Sequence, residues 1–494
     1  MPKYFLHYAL LFASISTLFL NSCDKMEFAD GNTDLPKYST DTIRFDTVFT
    51  TLGSAIRIFK IYNPYDKFLK IQKIELGQSF FRLNVDGLPG NSFENLEIRP
   101  KDSLYVFVEV TVNPDMPVSQ SPFIILDSLN LLVNNVAQKI SLEAWGQNAN
   151  YFPAKSNQGQ ISLLDLQGTT LVLDNTLPNI FYGVVYFDNG KLQIPKGTKI
   201  YVYGGITKAK NSANETFFYN DGRIIIGKNA SIEVNGTYAE PVIFQGVRLE
   251  KSYENVRGQW SGIAIDQESK GNIFNNAVIK NNLLGIYVDS LAECELKNCI
   301  IYNNTYSGVA ANSANVSVEN CLFFNQGQQS VSFSTGGNYT IQYCTFANYG
   351  NEESSVQLSN FRCQDPPFCQ SIIRYDLHCS ISNSILYGSN DDEFWMDSIS
   401  GAGFQVSIDH CIFRVKDLLK QGNFPNFITD YTTNCLNGIS SAKLFKDISK
   451  DNFHLDTLSA AENKAKYVTS IQFDLDQKLR DPQSPDIGCY EYQK

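Results

Sequence analysis

The sequence predicts an all-β protein with two domains, a sandwich of short strands followed by a parallel β-helix. Three observations carry this prediction: period-two alternation of apolar and polar residues near the N-terminus, a block that recurs every 22 or 23 residues further on, and the composition. Of 494 residues, 13% are aromatic and 18% are charged, which is typical of globular chains and not of disordered or coiled-coil ones.

Charge and histidine content narrow the classes of function. The formal net charge of −11 gives no general attraction to phosphate backbones, so nucleic acid is not an expected partner. The histidines stand far apart, without the paired spacing of a zinc site or a catalytic triad. We therefore predict no metal site from histidine and no resident cofactor, with calcium as the one open alternative.

The first 22 residues are predicted to be a lipoprotein signal peptide. Lys3 precedes an apolar stretch, 8–20, that has the length of a signal-peptide core and is short for a membrane span. The following run Leu-Asn-Ser-Cys, which ends at Cys23, resembles the lipobox of bacterial lipoproteins, although Asn21 departs mildly from it. The resemblance implies lipid attachment at Cys23 and a Bacteroidota-type cell-envelope location, in the outer membrane, facing the periplasm or the surface. An ordinary cleaved signal is the alternative.

Residues 23–40 are predicted to be a tether, because the polar run 24–37 has no apolar period. Export places the rest of the chain outside the cytoplasm, where disulfides are permitted but not required.

Residues 41–149 are predicted to form an immunoglobulin-like sandwich. Seven segments alternate in period two and are separated by Asn, Gly and Pro: 42–49, 55–62, 69–76, 80–85, 104–112, 128–133 and 137–144. The stretch 98–114, with a proline turn leading into a long strand that ends near Asn-Pro, is similar to hydin-like immunoglobulin-fold modules. The resemblance implies a spacer or a contact surface and no catalytic residue.

A repeat decides the prediction for residues 150–494. The segments 276–281, 298–303, 320–325 and 343–348 superpose at offsets of 22, 22 and 23 residues. Two short strands per repeat with no helical period between them exclude βαβ units, which need a crossover helix. Each repeat is therefore predicted to be one coil of a parallel β-helix.

Stacked coils place equivalent residues in columns. One predicted inward column holds small residues, and asparagines form a ladder beside it, in which left-handed turns and amide-to-amide hydrogen bonds are expected. The small-residue column is Ala277, Cys299, Cys321, Cys344, Ser384 and Cys411, and the ladder is Asn281, Asn303, Asn325 and Asn348.

This part of the chain resembles right-handed parallel β-helix proteins of the pectate-lyase-like superfamily. The resemblance includes opening coils at 192–198, 224–244 and 258–263 and a closing segment with Asp474, Asp476, Arg480 and 485–491. It implies the fold, which hosts many activities. The lyases of the superfamily use calcium-binding carboxylates with a cationic base, and the hydrolases use converging aspartates.

Asp266 and Asp289 are the first candidate ligand or calcium residues, because they share one outward column. Neither that column nor its neighbour contains a lysine or arginine to serve as a base. A solvated polar edge is the alternative interpretation.

The acidic loop with Asp391, Asp392, Glu393 and Trp395 is the second candidate, since acids beside an aromatic bind sugar or calcium. A run of adjacent acids is also common in loops that bind nothing.

An insertion of 17 or 18 residues between Cys344 and Ser384 contains Cys363 and Cys369, a candidate disulfide. We expect an outward apolar stripe to be covered by the chain, with this insertion as a candidate cover, or else to bind sugar or protein. The stripe consists of Val278, Ile300, Tyr302, Leu322, Phe324 and Tyr387.

Together these features predict a lipid-anchored envelope protein whose β-helix binds a glycan or another surface protein without catalysis. A polysaccharide lyase or glycoside hydrolase, and a structural envelope component, are the alternatives.

Overall fold

The structure is a computed structural model that describes residues 26–49, 52, 54, 56–77, 80–111, 123–153, 161–210, 214–422, 424–438 and 444–492. The chain divides into two compact units, Met1–Asn148 and Ala149–Lys494. The predicted signal peptide and the predicted lipid attachment site Cys23 lie outside the described residues.

Unit 1 consists of paired strands. They are β1 Lys37–Tyr38, β2 Thr42–Phe49, β3 Arg57–Tyr62, β4 Leu69–Leu76, β5 Phe81–Val85, β6 Leu88–Gly90, β7 Ser92–Ile98, β8 Ser103–Val110, β9 Phe123–Val133 and β10 Val136–Gln147. They form two five-stranded sheets in the orders β1-β3-β8-β5-β6 and β2-β10-β9-β4-β7. Alternate side chains of both sheets, among them Phe45, Phe59 and Leu129, meet in one buried apolar cluster. The period-two alternation is thus explained by burial of one side of each strand.

Strands occupy all seven predicted segments of unit 1, and three further strands are present among the described residues. Asp86 and Gly87, both with positive φ, form the turn after which β6 pairs back onto β5. The sequence did not predict the edge strand β7, because the exposed side chains of this strand do not alternate with buried ones.

The predicted tether is wrong for its described part, which packs on unit 1. The backbone N–H of Ala29 donates to the Phe68 carbonyl at 2.8 Å, and the Ala29 side chain is buried in the core. The side-chain amide of Asn134 donates to the carbonyls of Ala29, Gly31 and Asp34 at 2.9, 3.1 and 2.8 Å. A single buried amide from a distant turn thus holds a polar segment that has no periodicity of its own.

Unit 2 is a parallel β-helix. Its coils are built from β11 Asn150–Phe152, β12 Ile161–Val172, β13 Asn179–Tyr182, β14 Val184–Pro195, β15 Lys199–Tyr203, β18 Arg223–Ile226, β19 Ala230–Asn235, β20 Val242–Gly246, β21 Gly262–Ile265, β22 Asn272–Asn275, β23 Ala277–Lys280, β24 Ile286–Val288, β25 Glu293–Lys297, β26 Ile300–Asn304, β27 Val309–Glu319, β28 Leu322–Gln326, β29 Val331–Gln342, β30 Thr345–Asn348, β31 Val356–Ser359, β34 Leu377–Ser382, β35 Ile385–Gly388, β36 Phe394–Asp397, β37 Phe404–Asp409, β38 Ile412–Phe413, β39 Thr432–Thr433 and β40 Leu436–Asn437.

Other elements project from the coils or follow them. They are the hairpins β16 Ile206–Lys210 with β17 Thr216–Asn220, β32 Phe361–Cys363 with β33 Ile372–Arg374, and β41 Phe445–Asp447 with β42 Asn452–Leu455; the helix α1 Phe427–Tyr431; and two 3-10 helices, Lys251–Tyr253 and Ile448–Lys450.

Each coil contributes to three faces. Face A is the all-parallel sheet β11-β13-β15-β20-β23-β26-β28-β30-β35-β38-β40. Face B contains β18, β21, β24, the first halves of β14, β27 and β29, and then β31 and β36. Face C contains β19, β22, β25, the second halves of β14, β27 and β29, and then β34 and β37.

The predicted columns are in register. Val278, Ile300 and Leu322 pair in succession on face A, so the residue before each, Ala277, Cys299 or Cys321, shares one column. These cysteines are buried free thiols, and the N–H of Cys299 donates to Cys321 Sγ at 3.3 Å. The column therefore uses sulfur both as a small apolar filler and as a hydrogen-bond acceptor between coils.

The asparagine ladder is present over its first three members, and the fourth, Asn348, donates to Glu393 instead. Asn303 Nδ2 donates to Asn281 Oδ1 at 3.2 Å, and Asn325 donates in the same way to Asn303. All three residues have positive φ, between 52° and 63°. These asparagines thus satisfy both the left-handed turn and the buried amides, as predicted from their spacing.

The C-terminal segment, not the insertion, covers the outward apolar stripe of face A. Leu322, Phe324 and Tyr387 are buried in a cluster with Phe453, Leu455 and Tyr490 of the segment 444–492. The insertion hairpin β32–β33 instead packs beside β29. The prediction that the chain itself covers the stripe is confirmed, while the insertion as the candidate cover is wrong because the hairpin leaves the coil at the end of face B.

The closing motif forms a buried clamp. The fully buried Arg480 donates to Glu491 Oε1 at 2.8 Å, to Asn320 Oδ1 at 2.7 Å and to the carbonyl of Gly488 at 3.1 Å, and it stacks on the Tyr343 ring. Because Asn320 and Tyr343 belong to the coils, this one guanidinium fixes the segment 444–492 to the β-helix.

Candidate functional site

The outward side of face B, which we call outward face B, carries polar and aromatic side chains interspersed with small and aliphatic ones. Side chains at alternate positions of its strands point into the core, for example Ile263 and Ile265 on either side of Ala264. The outward side chains form two columns in register from coil to coil. The first column is Tyr186, Ile225, Ala264, Tyr287, Ala310, Ser332, Gln357 and Trp395, and the second includes Asp266, Asp289, Asn312, Ser334, Ser359 and Asp397.

Asp266 accepts a hydrogen bond from a tyrosine and lies near an arginine. The hydroxyl of Tyr186 donates to Asp266 Oδ2 at 2.7 Å across two coils. Burial, together with this carboxylate, raises the pKa of Tyr186 to about 12. Burial lowers the pKa of Arg223, while the nearby Asp266 acts in the opposite direction. Asp266 therefore accepts a strong hydrogen bond within reach of a positive charge.

Asp289 has a similar environment one coil further on. The hydroxyl of Tyr287 lies 3.4 Å from Asp289 Oδ1. Burial raises the pKa of Tyr287, Asp289 acts in the same direction, and Arg362 acts against both. The sequence predicted no cation in either column, which is correct for the columns themselves. It missed that Arg223 and Arg362 approach from outside them.

Arg362 reaches this surface because it belongs to the hairpin β32–β33, which also contains the disulfide between Cys363 and Cys369. The base of the hairpin is fixed by the buried Asn360, whose Nδ2 donates to the carbonyls of Ile399 and Ala402 at 3.0 and 3.1 Å. Arg374, which pairs with Phe361 at the base of the hairpin, donates to the Ser400 carbonyl at 2.8 Å. These bonds hold the hairpin beside the polar columns of face B.

The adjacent acids Asp391 and Asp392 have structural partners. Asp391 forms an exposed ion pair with Lys416 at 2.7 Å. The carboxylate of Asp392 accepts from the backbone N–H groups of Lys416, Asp417 and Leu418 at 2.7 to 3.1 Å. Both side chains thus stabilise the turn that follows face A, which the sequence alone does not reveal.

Glu393 is not at the surface. Its side chain is fully buried, and Oε2 accepts from Asn348 Nδ2 at 2.8 Å and from Ser355 N and Oγ at 3.2 and 2.5 Å. Burial raises its pKa to about 7. Glu393 therefore binds the last asparagine of the column that begins at Asn281, and its predicted role as a ligand residue is wrong because no solvent reaches it.

Trp395 stands at the end of outward face B with 44% of its surface exposed. It forms one wall of a cavity of about 660 Å³. Phe424, Met396 and Leu418 supply further apolar wall, and acidic side chains complete the lining. The structure thus joins Trp395 to the face that carries Asp266 and Asp289, although the sequence analysis treated the two candidates separately.

Within the described residues, no group of three or more His, Cys, Asp or Glu side chains is placed to hold a metal ion. The carboxylates of Asp266 and Asp289 alone supply fewer oxygen ligands than calcium takes in proteins. In the part of the chain that the structure describes, no helix is long and apolar enough to cross a membrane.

Comparison with known proteins supports the fold of unit 2. Residues 230–364 match the family model described as a right-handed β-helix region. A search of curated proteins finds no match. The match agrees with the parallel β-helix that faces A, B and C form over that segment.

Three solved structures are similar to parts of this chain. A protein of unknown function from Porphyromonas gingivalis W83 is 15% identical with a TM-score of 0.19, over 28% of this chain and 59% of that one. A family 123 glycoside hydrolase from Clostridium perfringens is 9% identical with a TM-score of 0.18, over 40% and 47%. The catalytic unit of a GH87 alpha-1,3-glucanase from Streptomyces thermodiastaticus strain HF3-3 is 10% identical with a TM-score of 0.20, over 72% and 79%. At these TM-scores the similarities carry no argument about activity.

Proposed function

We propose that outward face B is the glycan-binding surface of a lipid-anchored cell-envelope protein, and that binding there is not coupled to catalysis. The observation that carries the proposal is the run of hydroxyl, amide and aromatic side chains on three successive coils, Ser332, Gln357 and the exposed Trp395, which lie in one register. Sugar rings present apolar faces to aromatic side chains and hydroxyl groups to amides and carboxylates. A regular polymer would meet the same strand spacing at each coil.

The polar groups on this face support the proposal. Ser332 Oγ donates to Gln357 Oε1 at 2.8 Å, so the Gln357 amide is held in one orientation with its N–H₂ group available as a donor. Tyr186 and Tyr287 are fixed by Asp266 and Asp289. Side chains that are already ordered lose little entropy when a ligand binds, which favours recognition of a weakly binding polymer.

The anchor and unit 1 belong to the same proposal. Cys23 carries the lipid, and unit 1 is an immunoglobulin-like spacer between the membrane and the β-helix. Metabolic labelling with an alkyne fatty acid should label the protein and not Cys23→Ala. An unlabelled wild-type protein would contradict the anchor without affecting the glycan proposal.

Binding is tested on a glycan array with the full chain, with and without calcium, followed by calorimetry on the glycans that bind. Tyr287→Ala should weaken binding roughly tenfold, because it removes one stacking surface and one hydroxyl. Tyr62→Ala in unit 1, which removes an exposed tyrosine ring outside outward face B, should leave affinity unchanged. An array without any signal, together with a stable protein partner in pull-downs, would instead favour a structural envelope component.

Glycoside hydrolysis is the second candidate, and one observation favours it. Asp266 and Asp289 occupy the same position in adjacent coils. Neighbouring strands lie about 4.8 Å apart, close to the roughly 5 Å separation of the carboxylates in retaining glycosidases. If purified protein cleaves a glycan that it binds, and Asp266→Asn or Asp289→Asn binds without cleaving, the enzyme assignment replaces the non-catalytic one.

A further inference from the structure

The cavity beside Trp395 differs in charge from the rest of outward face B. Five acids stand among its polar lining residues, and the described residues that line it include no lysine or arginine. The acids are Glu352, Asp391, Asp392, Asp397 and Asp417. Outward face B around Tyr287, in contrast, has both acids and arginines.

The five acids are not equivalent. Asp391 is paired with Lys416, Asp417 with Lys420, and Asp392 caps three backbone N–H groups. Glu352 and Asp397 have no ion-pair partner among the described residues. Two carboxylates are therefore available to a ligand.

Trp395 and Asp397 point to the same side of β36, because they are two residues apart on one strand. The half-exposed indole thus lies next to a carboxylate at the entrance of one cavity. Asp397 is partly buried, and this burial raises the pKa of its carboxyl group. An indole face and a partly desolvated carboxylate together recognise an ammonium group, the first by cation–π attraction and the second by a charge-assisted hydrogen bond.

We infer that this cavity binds a positively charged amino sugar at the end of a glycan that lies along outward face B. The inference rests on the glycan-binding function proposed above and names the class of glycan. A glycan is favoured over a basic peptide because the cavity continues the two columns: Trp395 pairs with Gln357, and Asp397 with Ser359, in the same register. A ligand lying along the column therefore passes amide and hydroxyl groups before it reaches the cavity.

The test is calorimetry of the full chain with a chitosan oligosaccharide and with its fully N-acetylated counterpart of the same length, at mildly acidic pH. Only the first carries ammonium groups. It should bind at least about tenfold more tightly, because acetylation removes both the cation–π attraction and the charge-assisted bond. Asp397→Asn and Trp395→Ala should each reduce the affinity for the chitosan oligosaccharide about tenfold.

Glu295→Gln is the matched control, since it removes an exposed carboxylate from face C and should leave affinity unchanged. Melting temperatures of all variants show whether they fold, and Asp397→Asn tests the inference even if Trp395→Ala is unstable.

Equal affinity for the two oligosaccharides, or an affinity that neither variant changes, would overturn the amino-sugar inference and leave the glycan proposal intact if other array glycans bind. A chain that binds no glycan overturns both. If oligolysine binds as tightly as the chitosan oligosaccharide, and this binding is lost in the same variants, the cavity is assigned to a basic protein and the inference is overturned.

Discussion

Removal of the Arg480 guanidinium should weaken the attachment of the C-terminal segment to the β-helix. Arg480→Met keeps the length and apolar stem of the side chain but removes every donor. It leaves the Glu491 carboxylate without its cation, and it leaves Asn320 Oδ1 and the Gly488 carbonyl without the hydrogen bonds that Arg480 donates. The Arg480 side chain is fully buried and that of Glu491 is 11% exposed. Solvent therefore cannot replace the lost partner.

Breaking a buried ion pair by removing one partner costs about 3–5 kcal/mol, whereas replacing both partners with uncharged groups costs much less. Burial raises the pKa of Glu491 to about 7 even with Arg480 present, so the carboxylate of Arg480→Met should take up a proton near neutral pH. We expect the loss of stability in Arg480→Met to be largest at alkaline pH. We also expect Arg480→Met/Glu491→Gln to recover more than half of it.

Urea unfolding of the full chain, followed by tyrosine and tryptophan fluorescence and by limited proteolysis of the C-terminal segment, measures both effects. Proteolysis reports the local release of residues 444–492, which a single unfolding midpoint would average with the rest of the chain. A loss below about 1 kcal/mol in Arg480→Met, or a double variant no more stable than the single one, would refute the clamp.

Three further predictions concern the β-helix itself. The folded-state pKa of Glu393, about 7, exceeds the unfolded value of 4.5, so the contribution of Glu393 to stability is complete below pH 4.5 and is lost as pH rises through 7. In urea unfolding, Glu393→Gln should therefore be as stable as the wild type at low pH and more stable at pH 8, by up to about 3 kcal/mol. Equal stability of the two proteins at both pH values would contradict this. Phe323→Ala, which truncates a fully buried ring of β28 in the core of the β-helix, should cost about 3–5 kcal/mol. Tyr306→Ala, which removes an exposed ring, should change stability by less than about 0.5 kcal/mol, and similar losses in the two variants would argue against that core. A Cβ on Gly262, where φ is +109°, would overlap the Leu284 carbonyl of the next coil, while a Cβ on Gly271, where φ is +73°, would meet open space. Gly262→Ala should therefore abolish soluble expression, and Gly271→Ala should lower the melting temperature only slightly. Equal yields of the two variants would contradict the stacking of the coils.

The register of unit 2 was predictable because a short sequence repeat sets it. Cys299, Cys321 and the asparagines at 281 and 303 recur at a fixed spacing, and stacking coils convert that spacing directly into columns. No long-range information was needed for this step.

The parts that could not be predicted depend on contacts between segments far apart in the chain. Arg362 comes near Tyr287 because the hairpin β32–β33 packs beside β29. Asn134 donates a hydrogen bond to Ala29, which lies about a hundred residues earlier in the chain. The sequence indicated a surface acid at Glu393 because it follows two other acids, Asp391 and Asp392, in what reads as a loop. Its burial follows from Asn348 and Ser355, which no sequence period links to it.

The most direct test of the central claim, that equivalent residues of unit 2 lie above one another, is a set of distances along the exposed column of face C. Glu233, Thr340, Ser380 and Ser407 share that column. Spin labels on Glu233→Cys paired with each of the other three, in a Cys435→Ser background, should give about 19, 24 and 29 Å by pulsed electron resonance, since each coil adds about 4.8 Å. The steps from Thr340 to Ser380 and from Ser380 to Ser407 span 40 and 27 residues and should still be equal. Unequal steps, or distances that follow the residue count, would contradict the stacked coils and the binding surface built on them.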